Sequence, residues 1–201
     1  TGIQTPKDIY VVQDGKLVSF KYGQQAAETV EIGADGALIL RNPSAGADLH
    51  INPNGLRQMH FESGANILED LHGNPNFVND AAGGTNYLQF SPKNNQLVSV
   101  DLHATGGDNA IASLRLTKVE EPAGSGQFSW RDHESGKAIA SDVSFRPGGG
   151  AVIVKPLDDA QIPGTSKPLE QISYKLDGTT EVKYRDGSVQ IQPPQSQGEA
   201  P

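Results

Sequence analysis

Apolar and polar residues alternate in short stretches along almost the whole chain, and Gly, Pro, Asn or Asp closes each stretch. A period of two with turn residues at its ends is the pattern of antiparallel strands joined by hairpins. Residues 9–12 and 16–20 flank Gln13-Asp14-Gly15, which predicts a first hairpin. Val30 and Ile32 fall in phase, Ala34-Asp35-Gly36 turns the chain, and residues 37–40 predict the next strand. In Asp48-Leu49-His50-Ile51, Leu49 and Ile51 share one face while Asp48 and His50 share the other. The turn Asn52-Pro53-Asn54-Gly55 then leads into a return strand, Leu56 to Phe61.

Two later stretches read differently. Ile67, Leu68 and Leu71 have helical spacing and Ser63 stands where a cap would, so residues 65–71 predict the one short helix. Residues 72–86 are dense in Asn and Gly and predict a long loop. Strands resume at Tyr87 to Phe90, Leu97 to His103, Ile111 to Leu116, the Phe128/Trp130 alternation, Val143/Phe145 and Ala151 to Lys155. Towards the end the alternation is cleanest. Ile172, Tyr174 and Leu176, then Val182 and Tyr184, then Val189 and Ile191 are separated by Asp177-Gly178 and Asp186-Gly187.

These elements predict an all-β fold, an antiparallel β-sandwich or jelly roll over residues 3–157. Residues 158–168, with Pro163 and Pro168, read as a connector. Residues 169–192 form a C-terminal β-meander that completes the domain or packs beside it, and the polar segment 193–201 reads as a disordered tail. Evenly spaced turns between residues 33 and 73 keep a β-helix as the alternative.

Composition narrows the function classes. Twenty-three Gly and 13 Pro in 201 residues fit many turns, and aromatics at 6% leave Val, Ile, Leu and Ala to build the core. The formal net charge is -8 and no Lys/Arg cluster occurs, which argues against a nucleic-acid partner. No run of about 18 apolar residues is present, so no membrane-inserted helix is expected. Cysteine is absent, which removes disulfides, thiolate nucleophiles and Cys-based metal sites together. A chain starting at Thr1 reads as a processed or excised piece.

Chemistry-bearing residues are few. The string Asp-Leu-His occurs at residues 48–50, 70–72 and 101–103 and holds three of the five histidines. Asp48 and His50, with His60 from the return strand, predict a shared polar face able to hold a divalent metal, joined by His72 or His103. Such a site would support a metal-dependent hydrolase or lyase. The competing reading is that an exposed strand face simply needs polar residues. Asn76, Asn79, Asp80, Asp108 and Asn109 are candidate calcium ligands, and turn formation explains the same residues. Trp130 and Tyr87, with Asn86 and Asp132 as polar partners, are the candidate glycan-stacking residues, with core packing as the alternative for the lone Trp. Glu120-Glu121 and Asp158-Asp159 read as solvated loops.

No hydrolase, dinucleotide or P-loop signature is present. The expectation is therefore a non-enzymatic structural or binding domain of a cell-surface, secreted or virion protein, extracellular or periplasmic. It would have a protein partner or self-associate. The alternative is a glycan-binding module or polysaccharide-acting enzyme.

Overall fold

The computed structural model describes residues 8–13, 16–22, 25–26, 29–42, 47–70, 72–104, 111, 113–146 and 151–194. The expected tail beyond residue 194 and the candidates Asp108 and Asn109 lie outside these residues. Among the described residues eighteen strands are present. The first three, β1 (Asp8–Gln13), β2 (Lys16–Tyr22) and β3 (Gln25–Ala26), make a small sheet of their own. The other fifteen, β4 to β18, form one all-antiparallel sheet whose neighbours follow chain order, a meander. Among the described residues no helix is long and apolar enough to cross a membrane. The chain divides into two compact units, Thr1–Pro75 and Asn76–Pro201.

In the first unit, β4 (Thr29–Ile32), β5 (Leu38–Asn42), β6 (Ala47–Ile51), β7 (Arg57–Phe61) and β8 (Asn66–Glu69) pair in succession. Register explains the burial. Leu40, Leu49, Met59 and Ile67 stand opposite one another across four strands, and Leu40, Leu49 and Ile67 are buried. The next row on that face is Leu38, Ile51, Arg57 and Glu69. It places an ion pair, Arg57 Nε to Glu69 Oε2 at 3.2 Å, beside the apolar cluster.

In place of the expected helix over 65–71, the described residues hold strand β8, Asn66–Glu69. Ala65, Ile67 and Glu69 point inward and Leu68 outward, which is strand alternation. Helical spacing was a by-product of two adjacent apolar residues, Ile67 and Leu68, that face opposite ways. The expected loop at 72–86 is in part strand, since β9 (Pro75–Asn79) and the start of β10 (Thr85–Phe90) lie within it. Two of its Asn side chains accept hydrogen bonds: Thr85 Oγ1 donates to Asn79 Oδ1 at 2.8 Å, and the His103 N–H donates to the buried Asn86.

The second unit continues with β11 (Leu97–Leu102), β12 (Leu114–Glu120), β13 (Phe128–Asp132), β14 (Ala138–Arg146) and β15 (Ala151–Pro156). It ends with β16 (Leu169–Tyr174), β17 (Thr180–Tyr184) and β18 (Val189–Gln192). The terminal three strands are the meander that the alternation predicts, and β16 pairs directly with β15 through Val152↔Tyr174 and Val154↔Ile172. One face carries the core: Leu102, Leu116, Trp130, Ala140, Val152, Val154, Ile172 and Val182 are buried. Fully burying each of the larger side chains contributes about 1.5–3 kcal/mol. Ala81 N–H donates to Leu176 C=O at 2.9 Å, which brings the β9–β10 turn to the β16–β17 turn.

One turn geometry recurs. The N–H of the first turn residue bonds the C=O four residues on, and the N–H three residues on bonds back to it, at Gly33, Asn52, Phe61, Asp70, Asp80, Lys175 and Tyr184. An Asx side chain often closes the turn from inside. Asp35, Asn54, Asp177 and Asp186 each accept the N–H two residues further on. This is why Asp and Asn crowd the turns: the carboxylate or amide replaces a backbone acceptor that the bend removes.

Candidate functional site

The three Asp-Leu-His strings have three different structures. Residues 48–50 lie in β6, Asp70 opens a turn, and Asp101-Leu102 ends β11. Asp70 Oδ1 accepts the N–H groups of His72 at 2.8 Å and Asn74 at 2.9 Å. Partial burial opposes its charge, but the Asn74 and His72 donors outweigh that and hold its pKa below the usual carboxylate value. The second string is therefore a turn-closing device. In the third, Asp101 pairs with Arg115 at 3.0 Å.

In the first unit, strand register brings Asp48, His50 and His60 to one face, as the hairpin predicts. Asp48 stands opposite His60, and His50 opposite Gln58. The His50 and His60 rings are 4.3 Å apart, centroid to centroid, tilted by 51°. Burial and the neighbouring His50 lower the pKa of His60, and Asp48 pulls the other way. The missing element in the sequence reading is Arg41. It stands opposite Asp48 in β5 and donates to Asp48 Oδ2 at 2.8 Å, while its Nε bonds Glu31 at 3.2 Å. That hydrogen bond to Glu31, with the charge beside it, raises the pKa of Arg41. A guanidinium here neutralises the carboxylate that a metal would need. Among the described residues no three His, Asp or Glu side chains gather as a metal site.

The glycan candidates separate onto different faces. Trp130 is only 2% exposed, on the core face with Leu116 and Ala140, so its ring has no surface for a ligand. Asn86 is buried on the same side of the sheet, and its Oδ1 accepts the His103 N–H at 2.7 Å. Asp132 closes a turn, accepting both N–H and Oγ–H of Ser135 at 2.7 Å, and the Ser135 backbone donor lowers its pKa. Of the four, Tyr87 alone presents itself, 49% exposed.

Beside Tyr87 the sequence reading missed a residue. Phe77, 40% exposed, stands directly opposite in β9, with ring centroids 5.1 Å apart in an edge-to-face arrangement. It lay inside the expected loop. The signal was present in the alternation Asn76-Phe77-Val78-Asn79, of which Val78 is buried and Phe77 exposed. Across the outer face one row runs Phe77, Tyr87, Asp101, Arg115. The next runs Gln89, Ser99, Thr117, Arg131. An aromatic pair thus adjoins a flat field of amides, hydroxyls and a charge-balanced pair. Elsewhere in this unit, Asp158 to Pro168 line an open pocket of about 620 Å³ in which Asp158 pairs with Arg185.

No protein-family model matches the chain, and no curated protein matches it either.

Proposed function

We propose that the chain is a non-enzymatic binding or structural domain of a cell-surface, secreted or virion protein, and that the outer face of β9–β12 is its contact surface. One observation carries this reading: the Phe77–Tyr87 pair stands exposed on a strand face whose opposite side is a packed core. Aromatic rings dominate interface energetics, and two apolar rings held side by side in water gain by being covered. The acidic, Gly-rich, cysteine-free composition is compatible with work outside the cytoplasm. Screening the purified chain against surface glycans and surface proteins, with Tyr87→Ala alongside, tests this.

A glycan is the second reading for the same face. It is favoured by the hydrogen-bonding groups that flank the rings, namely Gln89, Ser99, Asp101 and Arg115. A sugar offers an apolar C–H face to an aromatic ring and hydroxyls to such a rim.

For the architecture we infer a sandwich within Asn76–Pro201. Two hydrogen bonds between segments distant in the meander support it: Ala81 N–H in the β9–β10 turn to Leu176 C=O in the β16–β17 turn, and Ile111 N–H before β12 to Gln192 Oε1 of β18 at 2.7 Å. A β-helix builds on parallel neighbours, whereas every register here is antiparallel.

A further inference from the structure

We propose that β18 is a pairing edge through which two copies of this chain associate antiparallel, about a two-fold axis at Gln190. This strand is the terminal member of the sheet order and, among the described residues, pairs with β17 alone. Natural edge strands are usually protected by a charge, an internal proline or a bulge. The stretch Val189-Gln190-Ile191-Gln192 has no charge and no proline, and its register against β17 runs without a shift.

Register also says which groups face outward. Tyr184 N–H bonds Ser188 C=O at the turn, and Val182 stands opposite Gln190. Antiparallel alternation then commits the backbone of Gln190 to β17 and points the N–H and C=O of Val189 and Ile191 to the free side. The same two residues expose their side chains, by 52% and 63%.

These features make the strand complementary to itself. With the axis at Gln190, Val189 faces Ile191 of the second copy and Ile191 faces its Val189. Both pairs are hydrogen-bonded, and both are apolar pairs on one face. No like charges meet. Within one row the flanking residues are Lys183 of one copy, opposite Val189, and Glu181 of the other, opposite Ile191. Each is already paired within its own chain, Lys183 with Glu170 and Glu181 with Lys175, so the contact brings no uncompensated charge together. A second copy is the occupant that satisfies the backbone and apolar patterns together.

The chain contains no cysteine, so one introduced thiol reports the geometry without background. At the axis, Gln190 would meet its own copy as a non-hydrogen-bonded pair, with Cα atoms about 4.5 Å apart, within disulfide range. Gln190→Cys in the full chain should form a disulfide dimer under mild oxidation, while Ser188→Cys, away from the axis, should not. Sedimentation of the unmodified chain should show a dimer that grows with concentration and is lost in Ile191→Lys, with circular dichroism unchanged. A chain that stays monomeric up to its solubility limit overturns the proposal. So does a dimer indifferent to Ile191→Lys, or cross-linking by Ser188→Cys as fast as by Gln190→Cys.

Discussion

His60 lies directly across the strand pair from Asp48, yet its ring packs on that of His50, 4.3 Å away. Burial first, and then the neighbouring His50, lower the folded-state pKa of His60 below 6.5. The unfolded chain therefore takes up the proton first as pH falls. The stability involved is fully present above about pH 6.5 and is lost as pH drops through the folded value. Thermal unfolding of the wild-type chain should shift down between about pH 7 and pH 5 more than that of His60→Gln. In NMR titration, His50→Gln should move the His60 pKa upward. An unchanged His60 pKa in that variant would show that the two rings do not interact electrostatically.

The Arg57–Glu69 pair tests the core face of the first unit. Its side chains are 10% and 6% exposed, so removing one partner strands a charge away from water. Glu69→Ala should cost about 3–5 kcal/mol in urea unfolding. The double replacement Arg57→Met with Glu69→Leu should recover most of that loss, because an apolar pair matches the surroundings of Leu38 and Ile51. A double variant as unstable as the single one would contradict the assignment.

Two glycines in the same kind of turn separate backbone strain from packing. Gly178 and Gly187 have φ of 89° and 83°. A Cβ at Gly187 meets nothing within 4 Å, whereas at Gly178 it would lie 2.8 Å from the Ala82 Cβ and 3.0 Å from the Pro194 Cβ. Gly187→Ala should cost about 1–2 kcal/mol, the left-handed penalty alone. Gly178→Ala should cost about 1–3 kcal/mol more through overpacking. Equal losses would mean that the β9–β10 and β16–β17 turns do not pack as described.

The aromatic residues divide in the same testable way. Trp130→Ala should destabilise the chain by about 3–5 kcal/mol, as a buried ring does. Tyr87→Ala should stay within about 0.5 kcal/mol, as an exposed one does. Near-neutral behaviour of Trp130→Ala would return that ring to the surface.

What the sequence made legible follows from which forces are local. The terminal meander could be read directly, because Asp177-Gly178 and Asp186-Gly187 encode their own turns and Thr180, Val182 and Tyr184 alternate into the core. Strands β8 and β9 could not. Ile67-Leu68 is as compatible with a helix as with a strand, and Asn76-Phe77-Val78-Asn79 looks like a loop until β10 pairs with its last three residues. The shared face of Asp48, His50 and His60 was legible from one turn. Arg41 was not, since its partnership with Asp48 needs the register of a third strand. Trp130 and Tyr87 are equally aromatic in sequence, and only the sheet decides which faces water.

The outer face of β9–β12 as a contact surface is tested most directly by one binding measurement. The full chain is screened against a panel of cell-surface glycans and extracellular proteins, beside the double variant Phe77→Ala/Tyr87→Ala and beside His60→Gln as a distant control. The expected result is binding that disappears in the double variant, survives in the control, and leaves circular dichroism unaltered in all three. Binding that survives removal of both rings, or no binding anywhere on the panel, would contradict the assignment of this face.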